Sequence, residues 1–269
     1  MYNYNGCKAP KKDIRDYKLS KAAYATRLPE EFTLTPTMKV KNQGGVCSCV
    51  AHATSSILEY HAQKQKSYDL LSTNFIYGAE YHLFAESDFG MHINNACKIV
   101  TRYGDVLETD CPGNTEVTEV NDIAKAVFDD EDKLQSAQRF RMKSYYSCNS
   151  IEKVKQAVYS HGPVLASIKW YNNFEPDEQY VLTGKEEGDF GYHAIIIYGW
   201  TPEGFVCQNS WGKDWGKDGR FILPYSFKLA EAKGFIDVDE DSCLTKPPRN
   251  TIFDFFYKLI NIIINMFNK

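Results

Sequence analysis

The sequence predicts an α+β fold in which a helical half is followed by a β half, with a cleft between the two. Apolar residues recur at helical spacing after Cys49, over 72–84 and over 93–102. Beyond residue 163 the pattern changes to short β-type runs separated by glycine and proline, which is typical of an antiparallel sheet or barrel. The 269 residues are 43% hydrophobic, enough for one large domain or two small lobes that share an interface.

The predicted elements occur in order along the chain. Residues 1–28 show neither helical nor strand period and are interpreted as an extended arm. The first helix begins near Ser48, a residue type that favours the N-cap position. Further segments are an acidic helical pattern at 119–138, an extended segment at 139–146, a helix at 151–160, and β-type runs at 164–170, 193–198, 205–208 and 220–223. The domain, 29–245, therefore divides into a helical lobe of about 43–125 and a β lobe of about 126–245.

Charge and cysteine content limit the classes of function. The net charge of -4, from 31 Lys and Arg against 35 Asp and Glu, provides no basic surface for phosphate backbones, so nucleic acid is not an expected partner. Eight cysteines are too few for a disulfide scaffold, and the first residues lack the apolar run of a secretory signal. A cytoplasmic location with mostly reduced thiols is expected, with a virus particle or a membrane surface as alternatives.

The last residues form a separate unit. Pro247 and Pro248 end the domain, and 251–269 places polar residues at three- and four-residue spacing among Ile, Phe and Leu. This pattern predicts an amphipathic helix at 246–269 whose apolar run is too short to cross a bilayer. Three contacts remain open for this helix: its own domain or a second copy, another protein, or a membrane surface.

Three segments carry residues suited to nucleophilic catalysis. Cys49 lies at the predicted start of a helix, where the helix dipole stabilises a thiolate. His193 follows Gly191 at the start of a strongly apolar strand, which can hold its ring in a fixed direction. Asn209 lies further along, in a segment that also contains Trp211. A nucleophile, a base and an orienting amide thus occur in that order, which is the arrangement that activates a thiol for covalent catalysis.

These segments resemble the papain family of cysteine peptidases. The resemblance rests on Gln43 six residues before Cys49, on Gly191, His193 and Ala194, and on Asn209, Ser210, Trp211 and Gly212 followed by Trp215 and Gly216. It extends from about Leu28 to about Val238 and implies a papain-like two-lobed fold, with a helical left lobe, an antiparallel β-barrel right lobe and the active-site cleft between them. The arm, 1–28, resembles the short leader of bacterial and viral members, which implies a short pro-segment.

The resemblance implies a role for each matching residue. Cys49 is the attacking thiolate, His193 its acid and base, and Asn209 the acceptor that orients the imidazole. The Gln43 side chain and the Cys49 backbone N–H form the oxyanion hole. Trp211 lines the cleft and shields the contact between His193 and Asn209 from water. A peptide or protein is the implied substrate, and hydrolysis of the thioester needs neither a metal nor an organic cofactor.

The chain departs from the commonest family pattern near the nucleophile. A disulfide cysteine, a glycine, a tryptophan and a phenylalanine are replaced by Val46, Cys47, Val50 and His52. Cys47 is therefore a second candidate reactive thiol, whereas a helix-packing role is the favoured interpretation of His52. The second subsite is expected to hold a medium apolar or aromatic side chain, and its wall residues are Gly90, Met91, Ser167 and Ala194.

Three functions remain open at this point. The leading one is an endopeptidase that acts on unfolded or extended peptide. The others are an acyl transferase or peptide ligase that uses the same thioester, and a catalytically silent peptide-binding homologue. A zinc site at Cys47, Cys49 and His52 is disfavoured because no fourth ligand is evident. The arm, residues 1–27, is expected to lie across the cleft and limit access.

Overall fold

The structure, a computed structural model, describes residues 6–11, 27–35, 38–65, 67, 69–84, 90–113 and 128–236. Its helices are α1 (Cys49–Lys64), α2 (Thr73–Phe84), α3 (Ile93–Arg102), α4 (Glu131–Ala137) and α5 (Ile151–His161), with a 3₁₀ turn at Gln138–Phe140. Its strands are β1 (Phe32–Thr33), β2 (Ser144–Ser147), β3 (Val164–Tyr171), β4 (Glu175–Pro176), β5 (Leu182–Thr183), β6 (Phe190–Trp200), β7 (Gly204–Gln208), β8 (Arg220–Pro224) and β9 (Leu229–Ile236). The predicted tail helix and most of the arm lie outside the described residues.

The β lobe is built on one antiparallel sheet. The strand order is β2-β9-β3-β6-β7-β8, with β1 paired to the end of β6, while β4 and β5 form a separate ribbon. In the part of the chain that the structure describes, β2 and β8 at the two ends of this order do not pair. Among the described strands the order is therefore that of an open sheet, and the antiparallel β lobe predicted from the sequence is confirmed. Helix α5 covers one face, so the apolar side chains there are buried without closure.

Strand β6 is buried on both faces because each face meets a different core. Ala194 and Ile196 pack into the core that contains α1, α2 and α3. Ile195 and Ile197 pack into the second core, which α5 covers. Successive side chains of a strand point to opposite faces, and here both faces are buried. Apolar residues therefore follow one another in the sequence instead of alternating with polar ones. The helical lobe thus docks directly on the sheet, and the N-terminal end of α1 meets β6.

Most predicted elements agree in position with the structure, and two details differ. The predicted extended segment 139–146 begins in the 3₁₀ turn, and its strand starts only at Ser144. Of the predicted acidic helix, 119–127 lies outside the described residues, and the described helix Glu131–Ala137 is capped by Asp130, which accepts the N–H groups of Asp132 and Lys133. Ser48 occupies the N-cap position of α1 without a capping bond. Its hydroxyl lies 3.1 Å from the Nδ1 of His52 instead.

Lys41 ties the loop before α1 to the helix itself. Its Nζ lies 2.9 Å from the Glu59 Oε1 and donates to the Ser55 Oγ at 2.7 Å and to the Leu71 carbonyl at 2.9 Å. Glu59 is 2% exposed and also accepts the Leu71 N–H at 2.9 Å. Since each buried charge depends on the other, removing one leaves its partner uncompensated. The pair therefore fixes the loop that leads to Cys49.

Lys41→Met is expected to lower the free energy of unfolding by about 3–5 kcal/mol, because Glu59 stays buried without its counter-ion. Lys39→Met, at an exposed position two residues earlier, is the control and should change it by less than about 0.5 kcal/mol. Urea unfolding at pH 7 measures both in a Cys49→Ala background. Equal stabilities of the two variants would show that the ion pair contributes nothing.

Candidate active site

Cys49 joins the two lobes. It is the first residue of α1, and its sulfur accepts the Ala194 N–H of β6 at 3.5 Å. The side chain is completely buried. The helix N-terminus and this N–H both place partial positive charge beside the sulfur. Partial positive charge at this position stabilises a thiolate.

The His193 ring is oriented by Asn209. The Asn209 Oδ1 accepts the Ser210 N–H at 2.7 Å, so this atom must be the oxygen of the amide. His193 Nε2 lies 2.8 Å from the same oxygen and must therefore donate to it. In the neutral ring the proton is then on Nε2, and Nδ1 carries the lone pair. Nδ1 is buried without a hydrogen-bond partner among the described residues, so it can accept a proton.

Aromatic rings exclude water from this contact. The Trp211 ring stacks on the imidazole with 4.6 Å between the centroids, and Trp170 meets the imidazole edge-on at 5.3 Å. Trp215 packs edge-on against Trp211 at 5.2 Å. A low local dielectric strengthens the hydrogen bond between His193 and Asn209.

The loop that carries Gln43 pairs with the loop that carries Asn209. The Gln43 backbone N–H donates to the Ser210 carbonyl at 2.8 Å. Its side chain is held at both ends: Oε1 accepts the Ser210 hydroxyl at 2.6 Å, and Nε2 donates to the Val46 carbonyl at 2.8 Å. The amide nitrogen therefore faces the turn that ends at Cys49.

The arm enters the cleft as an added strand. The Cys7 N–H donates to the Tyr192 carbonyl at 3.1 Å, and the Lys8 N–H donates to the Met91 carbonyl at 2.9 Å. The Met91 N–H donates in return to the Gly6 carbonyl at 3.0 Å. Cys7 is thus bridged in antiparallel sense to Tyr192 and in parallel sense to Met91. The arm connects the two walls of the cleft directly beside His193.

Gly6 lies against the sulfur of Cys49. A Cβ added to this residue would stand 2.9 Å from the Cys49 Sγ and 2.7 Å from the backbone carbon of Cys47. Only glycine permits so close an approach of the backbone. The sulfur of Cys49 is therefore covered by main chain rather than by a side chain.

The Cys7 side chain fills the region assigned to the second subsite. It is 4% exposed and lies beside Ser167, which pairs with Glu231 across β3 and β9. Burial raises the pKa of the Cys7 thiol, and the nearby Cys49 thiol and Glu231 carboxylate, which would repel a Cys7 thiolate, raise that pKa further. The structure thus brings a carboxylate close enough to affect the Cys7 thiol, near a pocket that was expected from the sequence to be apolar. Nothing in the sequence of β9 indicates this, because the sheet register brings Glu231 there.

Burial keeps Cys49 and His193 neutral in this structure. It raises the pKa of Cys49 to about 12, which the hydrogen bond from Ala194 only partly offsets. It lowers the pKa of His193 to about 4, against the opposing effect of the Asn209 hydrogen bond. At neutral pH the pair is therefore a thiol and an imidazole rather than an ion pair.

The remaining candidate residues lie around this centre. Gly90 has a positive φ of 93°. Burial lowers the pKa of His52 to about 4, and its Nδ1 lies 3.0 Å from the Ser48 carbonyl, which fits the packing role. Four further cysteines interpreted as structural are buried: Cys97, Cys111, Cys148 and Cys207. Cys243 lies outside the described residues.

The described residues contain neither a metal-binding cluster nor a membrane span. No three His, Cys, Asp or Glu side chains lie together there in a way that could hold a metal ion. None of the helices in the described ranges is both long and apolar enough to cross a membrane.

Comparison with known proteins agrees with this geometry. The sequence profile of the papain family of cysteine proteases matches residues 28–230. The chain belongs to this family. A papain-family cysteine protease is a hydrolase with a thiol nucleophile, and a catalytic triad and an oxyanion hole are typical of the family.

Several curated relatives match over different lengths. An uncharacterized peptidase C1-like protein of Acanthamoeba polyphaga mimivirus is 26% identical over 220 residues, which cover 74% of this chain and 68% of that protein. Cathepsin Z of Onchocerca volvulus is 27% identical over 115 residues, which cover 40% of this chain and 37% of that protein. Cathepsin B-like cysteine proteinase 1 of Ostertagia ostertagi is 29% identical over 95 residues, 34% of this chain. The match covers only 28% of that last protein.

Solved structures share the fold. Xylellain, a cysteine protease from Xylella fastidiosa, superposes with a TM-score of 0.76 at 21% identity, covering 89% of this chain and 98% of that one. Procathepsin B S9 from Trypanosoma congolense superposes with a TM-score of 0.64 at 16% identity, covering 86% of each chain. The papain-like architecture is therefore common to chains of very different sequence.

The free energy of unfolding should fall as the pH decreases from about 6.5 to about 4, because His193 binds a proton more readily in the unfolded chain than in the folded one. In a Cys49→Ala chain the free energy of unfolding should decrease between pH 7 and pH 4.5. His193→Gln should make this decrease smaller by about 2 kcal/mol. Urea unfolding across this range measures the difference. His52→Gln is the matched comparison and should remove a similar share. An unchanged pH dependence in His193→Gln would contradict a buried neutral ring.

Proposed function

We propose that the chain is an endopeptidase that hydrolyses peptide bonds through a thioester on Cys49, and that its N-terminal arm holds it latent. The position of Gly6 carries this proposal. Gly6 lies against Cys49, and the residues that follow it, Cys7 and Lys8, pair with both walls of the cleft, so continuous main chain crosses the nucleophile. A cleft that holds the interior of a chain is suited to cleavage within a chain rather than at its end.

The first half of the reaction forms the thioester. When the arm leaves, solvent reaches Cys49 and the cost of ionising its thiol falls. The His193 Nδ1 takes the thiol proton, and the sulfur attacks the carbonyl carbon of the peptide bond. The Gln43 amide and the Cys49 N–H stabilise the oxygen that becomes negative. The imidazolium then gives its proton to the departing amine, and an acyl group remains on sulfur.

The second half releases the product. Nδ1 of His193 removes a proton from water, and the oxygen of that water attacks the thioester carbon. The sulfur leaves and regains its proton, so the carboxylic acid is released and the thiol is restored. Throughout both steps Asn209 keeps the proton on Nε2 and the ring in place.

The two other functions differ in the fate of the thioester. In an acyl transferase an amine replaces water, so the product gains the mass of that amine. A silent homologue binds peptide in the cleft but forms no thioester. The product mass in ¹⁸O-labelled water separates these outcomes, because hydrolysis alone places labelled oxygen at the new carboxyl end.

Cys49→Ser is expected to reduce peptide cleavage by about 10³-fold or more, because a hydroxyl is a far weaker nucleophile than a thiolate at neutral pH. Cys47→Ser, two residues earlier, should leave cleavage within about twofold of the parent. Cleavage of a peptide blocked at both ends is measured by mass spectrometry. If Cys47→Ser lost its activity while Cys49→Ser kept it, the nucleophile would be Cys47 rather than Cys49. Failure of the parent to cleave blocked peptides while it trims free ends would contradict the endopeptidase assignment.

Gly6→Ala should raise the rate of iodoacetamide labelling at Cys49 by at least about tenfold, because the added methyl overlaps Cys47 and disfavours the arm in the cleft. Gly45→Ala is the matched control, since a Cβ there meets no atom within 4 Å. The labelled cysteine and its rate are read by mass spectrometry of digested protein. Equal rates for the two variants would show that the arm does not protect the thiol.

A further inference from the structure

A small cavity lies beside Asn209, where α1 meets strands β6 and β7. Its volume is about 10 Å³, which is room for about one water molecule. Helix α1 contributes His52 and Ser56 to the lining, and β7 and the loop after it contribute Gln208 and Asn209. Polar side chains therefore surround a space of the size of one water molecule.

Two polar atoms of these side chains are complementary and unpaired. The Gln208 Nε2 donates to the Lys39 carbonyl at 3.4 Å, so the other end of this amide is an acceptor. That acceptor, Oε1, is buried without a hydrogen-bond partner among the described residues, and so is the Asn209 Nδ2, a donor. Gln208 and Asn209 are only 2% and 3% exposed. Since an unpaired polar atom is costly to bury, both atoms require a partner that this cavity can hold.

The His52 ring supplies a second acceptor. Its Nδ1 lies 3.0 Å from the Ser48 carbonyl, which can only accept, so Nδ1 carries the proton. Burial lowers the pKa of His52 to about 4, so the ring is neutral near pH 7 and its Nε2 has a lone pair. Lys41 also lines the cavity, but its ammonium group already has three partners that do not line it.

We propose that one water molecule binds in this cavity, and that Gln208 and His52 act through it as positioning residues for Asn209. The water accepts the Asn209 Nδ2–H. It donates one hydrogen to the Gln208 Oε1 and the other to the His52 Nε2. These are three hydrogen bonds, the typical number for a buried water.

The direction of these bonds selects one orientation of the Asn209 amide. Because both hydrogens of the water point to acceptors, only a lone pair remains for Asn209. An amide N–H satisfies that lone pair, whereas an amide oxygen would be repelled by it. The oxygen is thereby kept toward His193, whose Nε2 lies 2.8 Å away. Gln208 and His52 therefore support the tautomer in which the His193 Nδ1 can take a proton.

The water complements the contact that holds the other end of the amide. The Ser210 N–H donates to the Asn209 Oδ1 at 2.7 Å, which restrains the oxygen but leaves the nitrogen unpaired. With water at Nδ2, both ends are held. The positioning role rests on the proposed peptidase reaction, whereas the binding of the water does not.

A high-resolution crystal structure of the full-length Cys49→Ala chain tests the water directly. One ordered water should lie within about 3.2 Å of the Asn209 Nδ2, the Gln208 Oε1 and the His52 Nε2. Absence of that water would overturn the proposal, and so would a direct hydrogen bond between Gln208 and Asn209. This readout needs no catalysis, so it decides the matter even for a chain that cleaves no peptide.

Steady-state kinetics test the positioning role. Gln208→Met removes the acceptor and should lower kcat for a blocked peptide by about tenfold, with KM within about twofold of the parent. The matched control is Gln138→Met at another buried glutamine, whose Oε1 accepts from the Arg141 Nη1 at 3.3 Å. It should leave both constants unchanged. Equal kcat values in the two variants would overturn the positioning role.

Two substitutions of His52 separate positioning from packing. His52→Gln keeps an acceptor at roughly the place of Nε2 and should retain at least about half of kcat. His52→Asn keeps only the donor to the Ser48 carbonyl and should lower kcat by about fivefold or more. Equal effects of the two substitutions would contradict a role for Nε2.

Nuclear magnetic resonance replaces kcat if the parent cleaves no peptide. In the ¹⁵N-labelled Cys49→Ala chain, the signal of the His193 Nε2–H reports how firmly Asn209 holds the ring. Its proton should exchange with solvent at least about fivefold faster after Gln208→Met, and at the parental rate after Gln138→Met. The same exchange rate in both variants would overturn the positioning of Asn209 by Gln208.

Discussion

Burial of β6 on both faces is the constraint on which the site depends. Because side chains alternate along the strand, Ala194 must face the helical lobe if Ile195 faces the second core. His193 is then on the same face as Ile195 and contacts Trp211 and Asn209. A slip of one residue would exchange the two faces and remove the base from its partner. The same strand supplies the N–H that reaches Cys49 and the Tyr192 carbonyl that holds the arm.

Exclusion of water has two opposite effects at this site. Around His193 it strengthens the hydrogen bond to Asn209 and maintains one tautomer. At Cys49 it raises the energy of the thiolate and keeps the nucleophile protonated. Different parts of the molecule cause the two effects. Trp211, which keeps water from His193, belongs to the folded lobe, whereas Gly6, which lies against Cys49, belongs to the arm. Departure of the arm would therefore expose Cys49 without exposing the contact between His193 and Asn209.

The sequence predicted the local parts of this structure and missed the long-range ones. Helices α2 and α3 are predicted by periodicity, and motifs within short segments single out Cys49, His193, Asn209 and Gln43, whose positions the structure brings together while their roles stay a prediction. The arm was expected across the cleft, but the individual contacts of Gly6 and Cys7 could not be predicted, because the arm has no period and its partners lie far along the chain. Glu231 reaches the cleft only through the pairing of β9 with β3. The open sheet likewise depends on pairing between strands that are distant in sequence, and local patterns do not specify this.

The arm is held in the cleft mainly through its backbone. Its three hydrogen bonds with Met91 and Tyr192 involve only main-chain atoms. Such contacts specify an extended conformation and a chain direction but hardly any side chains. These hydrogen bonds would persist with other side chains in the strand, whereas at Gly6 any side chain would overlap Cys47. Under the proposed latency, a single substitution at the one position that must lack a side chain would separate activity from control.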